Sequence, residues 1–204
     1  SHFNITKTPF YYYDKTLLSN TLAKLIRLAG ERNYHVHYAV KANANPEILK
    51  LIAASGIGAD CVSGGEIKAA LEAGFPAKKI VFAGVGKADW EIEYALEKKI
   101  FCFNVESAEE LSVIEELAKK KENIASIALR INPNIDAHTH EYITTGLSEN
   151  KFGIPIEMLD SIFSQIQRSP HVQLVGFHFH IGSQILNLET FHVLCERINQ
   201  LQDD

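Results

Sequence analysis

Lys41 closes the apolar run Tyr38-Ala39-Val40 and is followed by the turn-forming stretch Asn43-Ala44-Asn45-Pro46. A lysine held on a rigid element and partly stripped of water loses some of its preference for the charged form. Its amine can then attack a carbonyl and form a Schiff base. A second constellation, Phe177-His178-Phe179-His180-Ile181-Gly182-Ser183-Gln184, sets two histidines one residue apart ahead of a Gly-Ser turn. It suits either a flat aromatic surface beside an anion-binding turn or a pair of metal ligands, and His138-Thr139-His140 repeats the spacing. Gly182 permits close backbone approach, and Ser183 offers a hydroxyl and an amide to phosphate oxygens. A third segment, Gly58-Ala59-Asp60-Cys61-Val62-Ser63, holds an acid, Asp60, at a strand's end, able to compensate a cationic amine or position the group bearing it. Ser63 stands three residues before Glu66, the spacing of a capping box, and is read as a helix cap. Gly84-Val85-Gly86-Lys87-Ala88 fails the spacing of a phosphate-binding loop, and no G-x-G-x-x-G occurs.

The elements that must position these residues alternate between short β-rich runs and helical patterns, as in a parallel sheet wound by crossover helices. Strands are predicted near His35–Lys41, Ala59–Val62, Ile80–Gly84, Phe101–Val105, Ser126–Asn132 and Val175–Ile181. Helices are predicted over Leu17–Ala29, from Pro46 through Glu47–Ser55 to a stop at Gly56, from Ser107 to about Lys121, and over Leu188–Leu201. Glu115/Lys119 and Glu116/Lys120 are spaced as i,i+4 pairs on a solvated face. In the fifth strand Ile127, Leu129 and Ile131 share one face, and Ala128, Arg130 and Asn132 the other. The sixth repeats the division, with Val175, Phe177, Phe179 and Ile181 against Gly176, His178 and His180. One apolar face and one small or polar face fit a barrel whose interior opens into a site better than an open sheet apolar on both sides. The polar stretch from Asn132 to Lys151, with His138, His140, Tyr142 and Gly146, is a candidate substrate loop.

With 204 residues, 46% hydrophobic and 22% charged, and a formal net charge of -5, the composition is that of a globular domain. The mild acidity leaves no basic stripe for nucleic acid or anionic lipid. No apolar run approaches the ~20 residues of a membrane span, and the N-terminal segment has no signal-peptide pattern, so a cytoplasmic protein is expected. Cys61, Cys102 and Cys195 are scattered, without metal or disulfide spacing, and are expected as small buried hydrophobes.

Taken together, Tyr38-Ala39-Val40-Lys41-Ala42-Asn43, Gly58-Ala59-Asp60, Arg130-Ile131-Asn132-Pro133, His138-Thr139-His140, Thr145-Gly146, Asn150-Lys151-Phe152-Gly153 and the His178–Gln184 segment closely resemble the barrel-type pyridoxal-phosphate decarboxylases. That family holds the diaminopimelate, ornithine and arginine decarboxylases and, more distantly, alanine racemase; the His-Thr-His, Asn-Lys-Phe-Gly and His-Ile-Gly-Ser-Gln segments point to the diaminopimelate branch. The resemblance implies an α/β fold, a (β/α)8 barrel of which about six βα units are present. Residues 1–30 would form an entry strand and first helix, and residues 31–204 a partial pyridoxal-phosphate-binding barrel. The closing strands and the C-terminal β domain of the family have no counterpart.

It further implies that Lys41 carries pyridoxal 5'-phosphate, His180 stacks on its ring, and Gly182 and Ser183 form the phosphate turn. Asp60 matches the acid near the lysine, Arg130 an arginine near the phenolic edge, and His178 and His140 fall in the vicinity of the substrate. The implied activity is decarboxylation of meso-2,6-diaminopimelate to L-lysine, the last step of lysine biosynthesis, in a homodimer with shared sites and with no nucleic-acid or membrane partner. The acid facing the pyridine nitrogen, the glycine-rich phosphate loop, the substrate-selecting residues and the cysteine offered across the dimer lie further along the chain in such enzymes. The 204 residues alone are therefore expected to be inactive. Within the family, decarboxylation of ornithine, arginine or carboxynorspermidine is the alternative. Outside it stand a metal-dependent hydrolase built on the H-x-H pairs and a non-catalytic pyridoxal-phosphate-binding module; no metal is expected on the main reading.

Overall fold

The computed structural model describes residues 7–133, 152–183 and 185–203. Seven strands form one parallel arrangement: β1 (His37–Ala39), β2 (Gly58–Cys61), β3 (Ile80–Phe82), β4 (Cys102–Val105), β5 (Ala125–Asn132), β6 (Ile154–Pro155) and β7 (Val172–His178). The first five pair in chain order; β5 then takes β7 along most of its length and the two-residue β6 at its C-terminal end. Helices α1 (Lys15–Gly30), α2 (Pro46–Ala54), α3 (Gly64–Ala73), α4 (Asp89–Lys98), α5 (Ala108–Lys120), α6 (Leu159–Gln167) and α7 (Glu189–Asp203) supply the crossovers. This is the partial (β/α)8 barrel expected from the alternation, with six predicted strands present and β6 added. Among residues 7–14 no strand precedes α1, so the described part of the N-terminal segment contributes only the helix.

Local chemistry sets the helix starts. Asn45 accepts the Glu47 N–H at 2.9 Å ahead of Pro46 in the first turn of α2. Ser63 accepts the Glu66 N–H at 3.2 Å while Glu66 accepts the Val62 N–H at 2.8 Å, and Ser107 and Glu110 act alike on α5 at 3.2 and 3.0 Å. The reading of Ser63 as a helix cap is thus met, with Glu66 returning to the N–H of Val62, one residue before the cap. Of the two i,i+4 pairs on α5, Glu116–Lys120 forms at 2.7 Å. Glu115 instead accepts the Ser169 hydroxyl at 2.6 Å, because the turn before β7 brings that hydroxyl to the helix.

Register divides the sheet into two faces. Tyr38, Ala59 and Ile80 are aligned across the strands, as are Cys61, Phe82, Phe103, Ile127 and Leu174. Residues of this set from β2 to β5 are almost wholly buried against Leu49 and Ile52 of α2, Ile67 of α3, Ile92 of α4 and Leu111 and Ile114 of α5. Each fully buried side chain of this size contributes ~1.5–3 kcal/mol, so the main core lies between sheet and helices. The opposite, interior face carries Ala39, Asp60, Val81 and Cys102 in one layer, Asn104, Ala128 and Gly176 in the next, and Arg130 with His178 above.

Two expectations are corrected. Cys61 and Cys102 are buried but Cys195, on α7, is exposed. The outward face of the last strand is not packed away: Phe177 is 46% exposed and meets α6 through Phe163, whose ring centroid lies 6.3 Å away.

Candidate active site

Lys41 does not end β1 as an extended residue. It is the middle of a 3-10 turn, Val40–Ala42, between a wholly buried Val40 and the cap of α2. Tyr38 Oη donates to the Asn43 carbonyl at 3.1 Å, Asn43 N–H to the Val40 carbonyl at 3.1 Å, and Asn45 N–H to the Asn43 side chain at 2.9 Å. The turn is therefore tied on both sides, and with Val40 anchored in the core the exposed Lys41 stands at the C-terminal ends of the strands.

Asp60 and His178 occupy the interior face and hold the two buried atoms that lack a hydrogen-bond partner among the described residues, Asp60 Oδ1 and His178 Nδ1. Such atoms are costly unless something else satisfies them. Burial raises the Asp60 carboxyl above its ordinary range; Lys41 and Arg130 pull it back down, and Glu66 pushes it further up. Burial is also the main reason His178 is lowered to about 4, with Arg130, His180 and Lys87 adding to the effect. His178 is accordingly a neutral imidazole at physiological pH. These mutual influences show that Lys41, Asp60, Arg130, His178 and His180 share one electrostatic environment.

Arg130, on β5, is level with His178. Its Nη1 donates to Glu106 Oε1 at 2.8 Å and Oε2 at 2.9 Å, with the two side chains 11% and 6% exposed. The guanidinium carbon lies 5.7 Å from the centroid of Phe152. Behind this pair Lys87 Nζ, 1% exposed, donates to Glu110 and to the carbonyls of Gly84 and Asn104 at 2.7 and 2.8 Å. Burial raises the Glu110 carboxyl and Lys87 opposes the rise. Beyond β7, Gly182 adopts a φ of 127°, a conformation glycine takes without strain, so the backbone turns sharply just before Ser183.

The structure thus brings together Lys41, Asp60, Arg130 and His178, with His180, Gly182 and Ser183 following on the same strand end. His140 and the rest of the expected substrate loop from 134 to 151 lie outside the described residues, as does Gln184. Among the described residues no three His, Cys, Asp or Glu side chains assemble as metal ligands. Sequence reasoning missed Glu106, Asn104 and Lys87. Alternation along Cys102-Phe103-Asn104 could have flagged Asn104, and Glu106 follows β4 much as Lys41 follows β1. Nothing local announces that Lys87 turns inward. A cavity of about 450 Å³ at the opposite ends of the strands, among Tyr34, His37, Lys79 and Phe101, shares no residue with this cluster.

The donor set fits an aromatic aldehyde phosphate. An accessible amine stands above a polar interior face, two buried polar atoms await partners, and a glycine turn precedes a hydroxyl. The sequence pattern of a family described as pyridoxal-dependent decarboxylase, pyridoxal binding domain, matches residues 19–204. Diaminopimelate decarboxylase of Bacteroides thetaiotaomicron is 58% identical over 202 residues, covering 98% of this chain and 52% of that protein. The same enzyme of Campylobacter jejuni is 44% identical, covering 91% of this chain and 46% of that protein. A crystal structure of diaminopimelate decarboxylase from Helicobacter pylori complexed with L-lysine superposes with a TM-score of 0.82 at 43% identity, over 99% of this chain and 52% of that one. The chain spans about half the length of the curated relatives it matches.

Proposed function

The chain belongs to the pyridoxal-dependent decarboxylase family through its pyridoxal-binding domain, and from that premise we propose that it serves the decarboxylation of meso-2,6-diaminopimelate to L-lysine. The observation that carries the reading is the interior face beneath Lys41, where Asp60 Oδ1 and His178 Nδ1 are buried without partners. Identity of 58% to a diaminopimelate decarboxylase supports the substrate. Pyridoxal phosphate, when bound, supplies an aldehyde for a lysine amine and a conjugated ring that accepts the electron pair left behind as a carboxylate departs as carbon dioxide.

The chain's own residues then have distinct tasks. Lys41 would present the amine that holds the group and would release it to a substrate amine. The turn at Gly182 brings backbone N–H groups and the Ser183 hydroxyl toward the phosphate. His180 would pack against the ring face and hold the ring in a fixed orientation. Asp60 faces the positive charge gathered at Lys41, and Arg130 presents its guanidinium to the phenolic edge. Neutral His178 offers the substrate a hydrogen-bonding nitrogen rather than a second cation. His140 belongs to the candidate substrate loop and is assigned to the vicinity of the substrate. On this reading the protein is a cytoplasmic homodimer; no described helix is long and apolar enough to cross a membrane.

The test is reduction of the native protein with borohydride in the presence of pyridoxal phosphate, followed by peptide mass analysis, together with carbon dioxide release from meso-2,6-diaminopimelate, ornithine and arginine. Label on Lys41 and, in the whole protein, turnover of diaminopimelate alone are expected. Label on another lysine, or retained by a folded Lys41→Ala protein, overturns the assignment.

A further inference from the structure

Arg130 is not free to choose its orientation. Both oxygens of Glu106 meet the same nitrogen, Nη1, at 2.8 and 2.9 Å, and both side chains are nearly sealed from water. A charge-assisted contact of this kind in a dry setting is stronger and more directional than its surface counterpart. Glu106 is itself constrained: its backbone N–H is bound by Glu110 Oε2 at 3.0 Å, and the other oxygen of Glu110 takes the Lys87 ammonium. Lys87 in turn fastens the carbonyls of Gly84, beyond β3, and Asn104, on β4. Two buried ion pairs, Lys87–Glu110 and Glu106–Arg130, are thus joined by the Glu106 N–H and run from the loop after β3, through the first turn of α5 and the end of β4, to a guanidinium on the interior face of β5. Each carboxylate has its own cation and the two carboxylates are neighbours, so removing one member of a pair leaves its partner buried and uncompensated.

We infer that Glu106 is the positioning residue for Arg130, aiming its guanidinium along the interior face beside His178 and cancelling its charge there. Glu110 and Lys87 hold Glu106 in place. The inference rests on the pyridoxal reading above, because the ligand that Arg130 would meet is the phenolic edge of that ring. It assigns Glu106 no contact with the ligand, only control of the group that makes one. The other titratable groups sharing this environment are Lys41, Asp60, Glu66, Lys87, His178 and His180.

The native protein and its Glu106→Gln, Glu106→Asp, Arg130→Gln and Glu106→Gln/Arg130→Gln variants are stripped of ligand and titrated with pyridoxal phosphate. Affinity is followed by visible absorbance, and the pH midpoint of the bound band is recorded. Glu106→Gln is expected to weaken binding about tenfold or more and to move the midpoint to lower pH, since the uncancelled guanidinium disfavours a proton on the nitrogen at Lys41. Glu106→Asp keeps the charge and is expected to recover the midpoint while losing part of the affinity through its shorter reach. In the Arg130→Gln background the Glu106 change is expected to add less than twofold. Unchanged affinity and midpoint in a Glu106→Gln protein that binds the ligand overturn the inference, as does a full additional loss in the double variant. A native protein that takes up no pyridoxal phosphate at Lys41 overturns the proposed function itself, and the two failures are thereby told apart.

Discussion

Replacing Lys87 by methionine keeps an unbranched side chain of similar length but removes the ammonium, which lies 5.4 Å from the Phe82 ring centroid at the end of a side chain only 1% exposed. Glu110, 13% exposed, then loses its cation, and the Gly84 and Asn104 carbonyls lose a donor. Removing one partner of a buried pair costs about 3–5 kcal/mol. For a unit of this size each kcal/mol lowers the melting temperature by about 2–4 °C, so the drop is roughly 6–20 °C. The effect also carries a pH signature. Glu110 is raised in the folded protein, so between its unfolded and folded values the native state binds more protons and stability falls as pH rises. Without Lys87 the folded value moves higher still. The deficit should therefore be largest near neutral pH and shrink in mildly acid solution, as Glu110 takes up a proton. A second change, Glu110→Gln, removes the stranded charge and should recover a large part of the loss. Thermal unfolding followed by circular dichroism at neutral and mildly acid pH, on the native protein and both variants, decides the matter. A drop below about 2 °C, or one of equal size at both pH values, would refute the view that Lys87 is the counter-ion of a buried carboxylate.

His178, lowered to about 4 from an ordinary 6.5, releases its proton more readily folded than unfolded. Its contribution to stability is complete above about 6.5 and is lost as pH falls toward 4; His178→Gln should flatten the stability profile in that window, and an unchanged slope in denaturant titrations would contradict the burial argument. At Gly58 an added Cβ would collide with the His37 ring and with the Lys79 carbonyl. Gly58→Ala should therefore destabilise by about 1–3 kcal/mol or more, read as a lower urea midpoint, because backbone cannot yield as a flexible side chain would. Asn45→Ala removes the cap of α2 next to the Lys41 turn. A loss of about 1 kcal/mol is expected in the same measurement, whereas Asn45→Asp should be nearly neutral.

Much of this protein is determined by residues close together in the chain. Alternation in Ser126–Asn132 separates Ile127, Leu129 and Ile131 from Arg130, and caps at Asn45, Ser63 and Ser107 begin α2, α3 and α5, because backbone sterics and side-chain reach act over a few residues. The position of Lys41 at the C-terminal end of β1 and the barrel-like division of faces were legible for the same reason, whereas the 3-10 turn at Val40–Ala42 that holds Lys41 lies where the sequence predicts strand. Three features needed the tertiary structure. The pairing of β5 with β7 slips between Ile127 and Ala128, so that Ile127 matches Leu174 while Ala128 matches Gly176, leaving Val175 as an extra residue. Unbroken alternation from Leu174 would have turned His178 outward; the bulge returns it to the interior beside Arg130. The contact between Glu106 and Arg130 spans 24 residues, and Lys87 reaches Glu110 across 23. No local periodicity encodes either contact, since each exists only once neighbouring strand ends are brought side by side in a medium dry enough to make every buried charge seek a partner.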